Sequence, residues 1–104
     1  MSKYDKFVIY KIYQPEFPEL IYIGSTTNFS SRKSNHKKSC KNRVSKKYHY
    51  PIYQYIRNCG GFEKFNIEIV EKYPCKTKCE GLQREKELIE IYKAKLNTNC
   101  PINN

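Results

Sequence analysis

Two short runs of β-branched and aromatic residues near the N-terminus constrain the fold of this chain more than any other feature. The first run is FVIYKIY at residues 7–13, and its alternation puts Tyr10 on the same face as Val8 and Ile12. The second run is LIYI at residues 20–23, and it follows the stretch QPEFPE, whose prolines cannot donate hydrogen bonds to a sheet. We therefore predict two strands joined by a loop as an antiparallel hairpin.

The rest of the chain predicts one further strand and several helices. Gly24 is predicted to end the second strand, after which Thr27 or Asn28 can cap a helix. Pro51 is a favourable first residue for the next helix. The predicted elements are a helix from about residue 29, an exposed basic loop up to residue 50, a helix from 51 to the glycines at 60 and 61, a strand at 65–73 and a helix at 77–96. The expected fold class is α+β, a small three-stranded antiparallel sheet flanked by helices in a single domain of residues 1–104.

Positive charge is concentrated in one segment of the chain. Lysine and arginine number 20 against 10 acidic residues, which gives a formal net charge of +10. Residues 32–47 hold eight of the basic residues and no acidic residue, a pattern that favours contact with phosphates. The predicted nucleic-acid contacts are Lys11 from the first strand and, from the basic segment, Lys33, Lys37, Lys38, Lys41, Arg43, Lys46 and Lys47.

Composition argues against a membrane or secreted protein. No apolar run approaches the roughly 20 residues of a membrane-spanning helix, and the N-terminal MSKYDK is unlike a signal peptide. Five cysteines without dense spacing are typical of free thiols in a reducing compartment. Cys75 and Cys79 lack the further His or Cys pair of a zinc finger, so zinc is a minor alternative. We predict a soluble intracellular protein of the cytoplasm or of a host-cell nucleus, with no membrane partner and no small-molecule cofactor.

Glu85 interrupts the apolar pattern of the last predicted helix. Positions 82, 85, 89, 92 and 96 follow one helical face, and the other four hold Leu, Ile, Tyr and Leu. A buried carboxylate is costly unless it meets a cation, accepts strong hydrogen bonds or becomes protonated. Periodicity alone leaves two interpretations open. Glu85 either forms an ion pair or reaches water at the edge of the stripe, or it is a metal ligand.

Several segments, taken in order, resemble the GIY-YIG nucleases. VIY at residues 8–10 and YIG at residues 22–24 are similar to the paired tripeptides that name the family, with Val8 where the family usually has glycine. Val8 is expected to pack beside the hairpin and to leave the Tyr10 hydroxyl free. The later landmarks are NFSSR ending at Arg32 with His36 four residues on, PIYQYIR from Pro51, FNIEI from Phe65, EKELI from Glu85, and Asn97. The resemblance spans residues 7–97 and is to stand-alone catalytic domains of the homing-endonuclease or viral type.

This resemblance implies a metal-dependent endonuclease that hydrolyses DNA phosphodiester bonds, one strand per active site. The catalytic residues it implies are Tyr10, Tyr22, Arg32, His36, Glu85 and Asn97. Glu85 would hold one Mg²⁺ or Mn²⁺ per active site, and Arg32 would neutralise charge that develops on the phosphate. A hairpin tyrosine would help to activate water. Because an unperturbed phenol has a pKa of about 10, that tyrosine needs the metal, Arg32 or Lys11 close by.

Some of these residues have an alternative role that the sequence leaves open. His36 on a basic helix is either a solvated residue or phosphate contact, or part of the catalytic site. Asn97 either acts in the site or ties down the chain after the last helix, and Asn99 is a substitute for it. The tyrosines at positions 48, 50 and 53 either stack on unpaired bases or pack in the interior.

The sequence also bounds the partners. The chain ends about seven residues after Asn97, so we expect no separate recognition domain. A module that contacts mainly phosphates should have low to moderate sequence specificity. We expect it to act on duplex or branched DNA as a monomer or a transient homodimer. Two other classes stay open: a catalytically inactive nucleic-acid-binding module of the same fold, and a basic adaptor for a protein partner. A Lys-, Asn-, Ile- and Tyr-rich composition is typical of an AT-rich genome such as that of a virus, phage or mobile element.

Overall fold

The computed structural model describes residues 3–98 of the chain. The strands are β1 (Val8–Tyr13), β2 (Ile21–Thr26) and β3 (Asn66–Lys72). The helices are α1 (Phe29–Lys41), α2 (Pro51–Asn58), α3 (Lys78–Ile91) and the short α4 (Lys95–Thr98), with 3₁₀ turns at Lys3–Lys6 and Phe62–Lys64. The strands form one antiparallel sheet in the order β2-β1-β3, which confirms the predicted α+β class. None of the helices formed by residues 3–98 is long and apolar enough to cross a lipid bilayer.

The first two strands form the predicted hairpin, but β2 does not end at Gly24. Tyr10 lies opposite Gly24 and Val8 lies opposite Thr26, so the strand continues for two residues beyond the glycine. A Cβ atom on residue 24 would fall 2.5 Å from the Tyr10 hydroxyl oxygen. The prediction of a strand end was wrong, because the glycine here makes room for a ring from the neighbouring strand instead of breaking the ladder.

The sheet separates two apolar clusters. Tyr10 and Ile12 pack with side chains of α1 and α2 on one face. Ile9 and Ile23 pack with Leu88 of α3 on the other face. Since successive residues of a strand point to opposite faces, both clusters are built from the same short runs. β2 is an edge strand, and residues from both of its faces, such as Tyr22 and Ser25, line one cleft.

The predicted helix over residues 77–96 is two helices. Thr77 caps α3 through a reciprocal pair of hydrogen bonds with Glu80. The helix ends at Ile91 because Lys93 takes a left-handed conformation with φ 51°. The Lys93 and Ala94 N–H groups then donate to carbonyls inside the last turn, at Glu90 and Ile89. Ala94 is buried in the second cluster, so packing of the residues after the turn stabilises this stop.

Candidate active site

A cleft of about 400 Å³ opens along the free side of β2. Five of the six residues predicted as catalytic line it, namely Tyr10, Tyr22, Arg32, Glu85 and Asn97. They come from β1, β2, α1, α3 and α4, so the tertiary fold assembles the site. The sixth residue, His36, lies behind the wall of the cleft. A second cavity of about 490 Å³ between α1 and β3 contains none of the six.

Glu85 reaches the cleft from α3, and its surroundings are more polar than predicted. Its Oε1 atom accepts a hydrogen bond from the Ser25 hydroxyl of β2. Leu82 and Tyr92 are 42% and 44% exposed, and Leu96 belongs to α4. The predicted apolar stripe was therefore wrong, because the helix ends before position 96 and turns two of its members to solvent. Glu85 itself is partly exposed, and the ion pairs found within residues 3–98 do not include it.

The donor atoms around Glu85 suit a hard cation. A carboxylate and the Ser25 hydroxyl offer oxygen only. Within residues 3–98 no three or more His, Cys, Asp or Glu side chains cluster in a way that would enclose a metal, and this holds for Cys75 and Cys79 as well. Mg²⁺ is commonly held by one or two carboxylates together with waters and substrate oxygens, so a single glutamate in an open cleft is compatible with it.

Tyr10, His36 and Tyr53 form a continuous hydrogen-bonded chain in the interior. The Tyr10 hydroxyl lies 2.7 Å from His36 Nε2, and His36 Nδ1 lies 2.7 Å from the Tyr53 hydroxyl. The three side chains are 2%, 4% and 4% exposed. The expectation that Val8 leaves the Tyr10 hydroxyl free was wrong: Val8 does pack, but α1 brings the imidazole within bonding distance. His36 is likewise not solvated, and Tyr53 is not available to stack on bases.

Burial dominates the ionisation of this chain. It raises the pKa of Tyr10 well above its ordinary value, with Tyr22 adding to the effect and Arg32 opposing it. Burial lowers the pKa of His36 to about 4, and the positive charges of Arg32 and Lys47 act in the same direction. Burial also raises the pKa of Tyr53 to about 12. At neutral pH all three side chains are therefore uncharged.

Arg32 and Lys11 occupy very different positions. Arg32 lies at the cleft, one helical turn before His36, and its guanidinium forms no hydrogen bond or ion pair with another side chain of residues 3–98. It is thus able to bind an anion. Lys11 follows Tyr10 on β1 and points to the opposite face, where its ammonium lies 4.7 Å from the centre of the Tyr13 ring. The structure does not bring Lys11 to the Tyr10 hydroxyl.

Asn97 holds the edge strand in place. The Ile23 N–H donates to Asn97 Oδ1 at 2.7 Å, and Asn97 Nδ2 donates to the Ile23 carbonyl at 2.8 Å. Ile23 lies between Tyr22 and Gly24, and as part of an edge strand its outward backbone groups have no neighbouring strand to pair with. The geometry is that of a residue that ties the chain to β2. Asn99, its predicted substitute, lies outside the described residues.

Residues 6–97, nearly the whole chain, match the model of the GIY-YIG catalytic domain. The chain belongs to the GIY-YIG family. No curated protein and no solved structure matches it significantly. Membership implies nuclease activity with a DNA substrate, and GIY-YIG nucleases generally depend on a divalent metal.

The basic segment of this GIY-YIG domain spreads over several surfaces. Three lysines one turn apart on α1, at positions 33, 37 and 41, line the large cavity beside β3. Lys47 lines a smaller cavity of about 230 Å³ next to His36. Arg57 fixes the loop between them, because its guanidinium donates to the Cys40 and Tyr48 carbonyls at 2.8 Å. The remaining basic residues, Lys38, Arg43 and Lys46, are exposed.

Two residues of this GIY-YIG site, Ser25 and Tyr53, were not predicted as site residues from the sequence. Ser25 directly follows the YIG tripeptide, and strand alternation places it on the face that α3 covers. Its position next to the motif was therefore a local sequence signal for its hydrogen bond with Glu85. Tyr53 had none. Nothing in the PIYQYIR segment marks which of its tyrosines meets His36, since that contact joins two helices.

Proposed function

We propose that this GIY-YIG domain is a divalent-metal-dependent DNA endonuclease that cuts one strand per active site. The observation that supports this most is the convergence of Glu85, Arg32 and Tyr10 on one cleft from three separate elements. Together they offer an anionic oxygen, a guanidinium that pairs with no acidic side chain of residues 3–98, and a hydroxyl with a proton acceptor beside it. Phosphodiester hydrolysis needs these groups: a cation site, a charge stabiliser and a base.

Glu85 is the residue that would hold Mg²⁺ or Mn²⁺, one ion per site. When bound, such an ion polarises a phosphoryl oxygen and offsets its negative charge. Arg32 would bind a nonbridging oxygen of the scissile phosphate, because its planar fork matches that geometry. Ser25 would hold the Glu85 carboxylate toward β2 through its hydroxyl.

Tyr10 is the better candidate for the base. Tyr10 is one of the residues that line the cleft, and its hydroxyl has a neutral imidazole nitrogen 2.7 Å away, so its proton has an acceptor when water attacks. Tyr22 lies beside it in the cleft and faces the His36 ring, with 6.4 Å between ring centres. We assign Tyr22 to orientation of the attacking water, and Asn97 to positioning of the strand that carries Tyr22.

The basic residues would supply the binding energy for a duplex or branched DNA substrate. Because these side chains would contact phosphates, sequence specificity should be low to moderate.

We further propose that the chain acts as a single catalytic domain, alone or as a transient homodimer on DNA. A reducing compartment, the cytoplasm or a host nucleus, suits the free thiols at positions 40, 59, 75 and 79, while Cys100 lies outside the described residues. The Lys- and Asn-rich composition supports a viral or mobile-element origin.

Nicking of supercoiled plasmid tests the proposal. Wild type should nick with Mg²⁺ or Mn²⁺ and not with EDTA, and Glu85→Ala should lose nicking while it still binds plasmid. Glu90→Ala removes the same charge from an exposed position of α3 and should behave as wild type. A folded wild type that binds DNA but never nicks, on supercoiled, linear or branched substrates, would instead support the inactive binding module.

A further inference from the structure

His36 has a hydrogen-bond partner on each ring nitrogen, Tyr10 at Nε2 and Tyr53 at Nδ1. Of these two partners, Tyr10 lines the cleft and Tyr53 does not. If Tyr10 passed its proton to Nε2 and nothing else moved, a buried imidazolium would result. The surroundings oppose that charge, because the site is buried and both Arg32 and Lys47 are positive. His36 must therefore release a proton from Nδ1 as it accepts one at Nε2, and the group at Nδ1 is the Tyr53 hydroxyl at 2.7 Å.

Tyr53 lies at a different cavity from the cleft. It lines the cavity of about 230 Å³ together with His36, Ser39 and Lys47, whereas Tyr10 lines the catalytic cleft. Ser39 acts on Tyr53 in this cavity, because its side chain lowers the pKa of the Tyr53 hydroxyl against the effect of burial. The chain of three side chains thus crosses the wall between two openings, with a hydroxyl at each end.

We propose that Tyr53 is a positioning residue that completes a proton path from the active-site cleft to this second cavity. The Tyr10 O–H bond breaks as an N–H bond forms at Nε2 of His36. The Nδ1–H bond breaks as its proton moves to the Tyr53 oxygen, and the original Tyr53 proton passes to water in the second cavity. Tyr10 is left as phenolate, His36 and Tyr53 stay neutral, and one proton has passed to water. Burial opposes the phenolate, and the positive charge of Arg32 acts against that effect. The path rests on the proposed function, since it takes Tyr10 as the base.

This path requires one tautomer of His36 in the resting protein, with hydrogen on Nδ1 and the lone pair on Nε2. Long-range proton–nitrogen correlation spectra of nitrogen-15-labelled wild type report the tautomer directly, with the exposed His49 as an internal reference. We expect the Nδ1–H form. If His36 of the wild-type protein carries its hydrogen on Nε2, the proposed path is wrong. This result needs neither a variant nor an activity measurement.

Tyr53→Phe should release His36 to a mixture of tautomers and slow metal-dependent nicking about 10- to 100-fold, with plasmid binding unchanged. Tyr50→Phe is the matched control, because its half-exposed ring stacks on that of Tyr53 at 6.2 Å. It should change neither the tautomer nor the rate. A Tyr53→Phe protein with the wild-type tautomer and rate would refute the role of Tyr53. An Nδ1–H tautomer that depends on Tyr53, in a protein that never nicks, would support the positioning role and refute the nuclease proposal alone.

Discussion

The ring of Tyr10 crosses the backbone of Gly24, and a Cβ atom at residue 24 would lie 2.5 Å from both the hydroxyl oxygen and Cζ of that ring. The two residues face each other in the hairpin register. The last tyrosine of VIY and the glycine of YIG therefore form one packing unit. Because Gly24 has no side chain, the Tyr10 ring fits over it and the Tyr10 hydroxyl reaches His36.

Gly24→Ala should push the Tyr10 ring out of place. We expect a loss of about 1–3 kcal/mol in the free energy of unfolding, measured by urea denaturation, together with weaker nicking. The same change in a Tyr10→Leu background should cost less, because leucine ends before the clashing ring atoms. An equal cost in both backgrounds would mean that the glycine serves the backbone and not the ring.

Asn97→Ala should free the edge strand at the cleft. Loss of both hydrogen bonds to Ile23 should lower the free energy of unfolding by about 1–3 kcal/mol. Asn97→Asp keeps the acceptor for the Ile23 N–H but loses the donor to its carbonyl, so it should not restore wild-type stability. Asn58→Ala, at an exposed residue, should be near neutral in the same urea titration. Wild-type stability of Asn97→Ala would rule out the tying role.

Acid should destabilise the protein through His36. Its pKa is 6.5 ordinarily and about 4 in the folded protein, so the unfolded state binds more protons between these values. Stability from this group is complete above pH 6.5 and is lost as pH falls toward 4, by roughly 3 kcal/mol. Urea titrations across this window should show a smaller loss for His36→Gln. His49→Gln should retain the wild-type loss, and equal slopes for His36→Gln and wild type would contradict the assignment.

Phosphate contact by the basic segment predicts the salt dependence of DNA binding. Changing Lys41, Arg43, Lys46 and Lys47 together to Ala should weaken binding evenly across sequences. The slope of log K against log salt should fall by about 0.9 for each lost contact. The control changes four exposed lysines elsewhere to Ala, at positions 6, 72, 86 and 95. A slope for the basic-segment variant that is unchanged from wild type would place the DNA footprint outside the basic segment.

Local chemistry made much of the fold predictable. The Asn28 cap of α1, the start of α2 at Pro51 and the start of α3 directly after Thr77 lie where the sequence indicated. The errors lie where distant packing overrode a local signal. Gly24 continues a strand because Tyr10 needs its space, and the last helix stops early because buried Ala94 follows the turn.

The sequence by itself determined most of the elements and their order, because periodicity, caps, prolines and charge are encoded over a few neighbouring positions. The candidate site residues came instead from the resemblance of short segments to the GIY-YIG family. The tertiary structure decided which partners meet. Ser25 bonds Glu85 from 60 positions away, Ile23 bonds Asn97 from 74, and His36 bonds Tyr53 from 17. Each of these contacts joins separate elements, and no local pattern records it, because the partner is chosen by how the helices pack on the sheet.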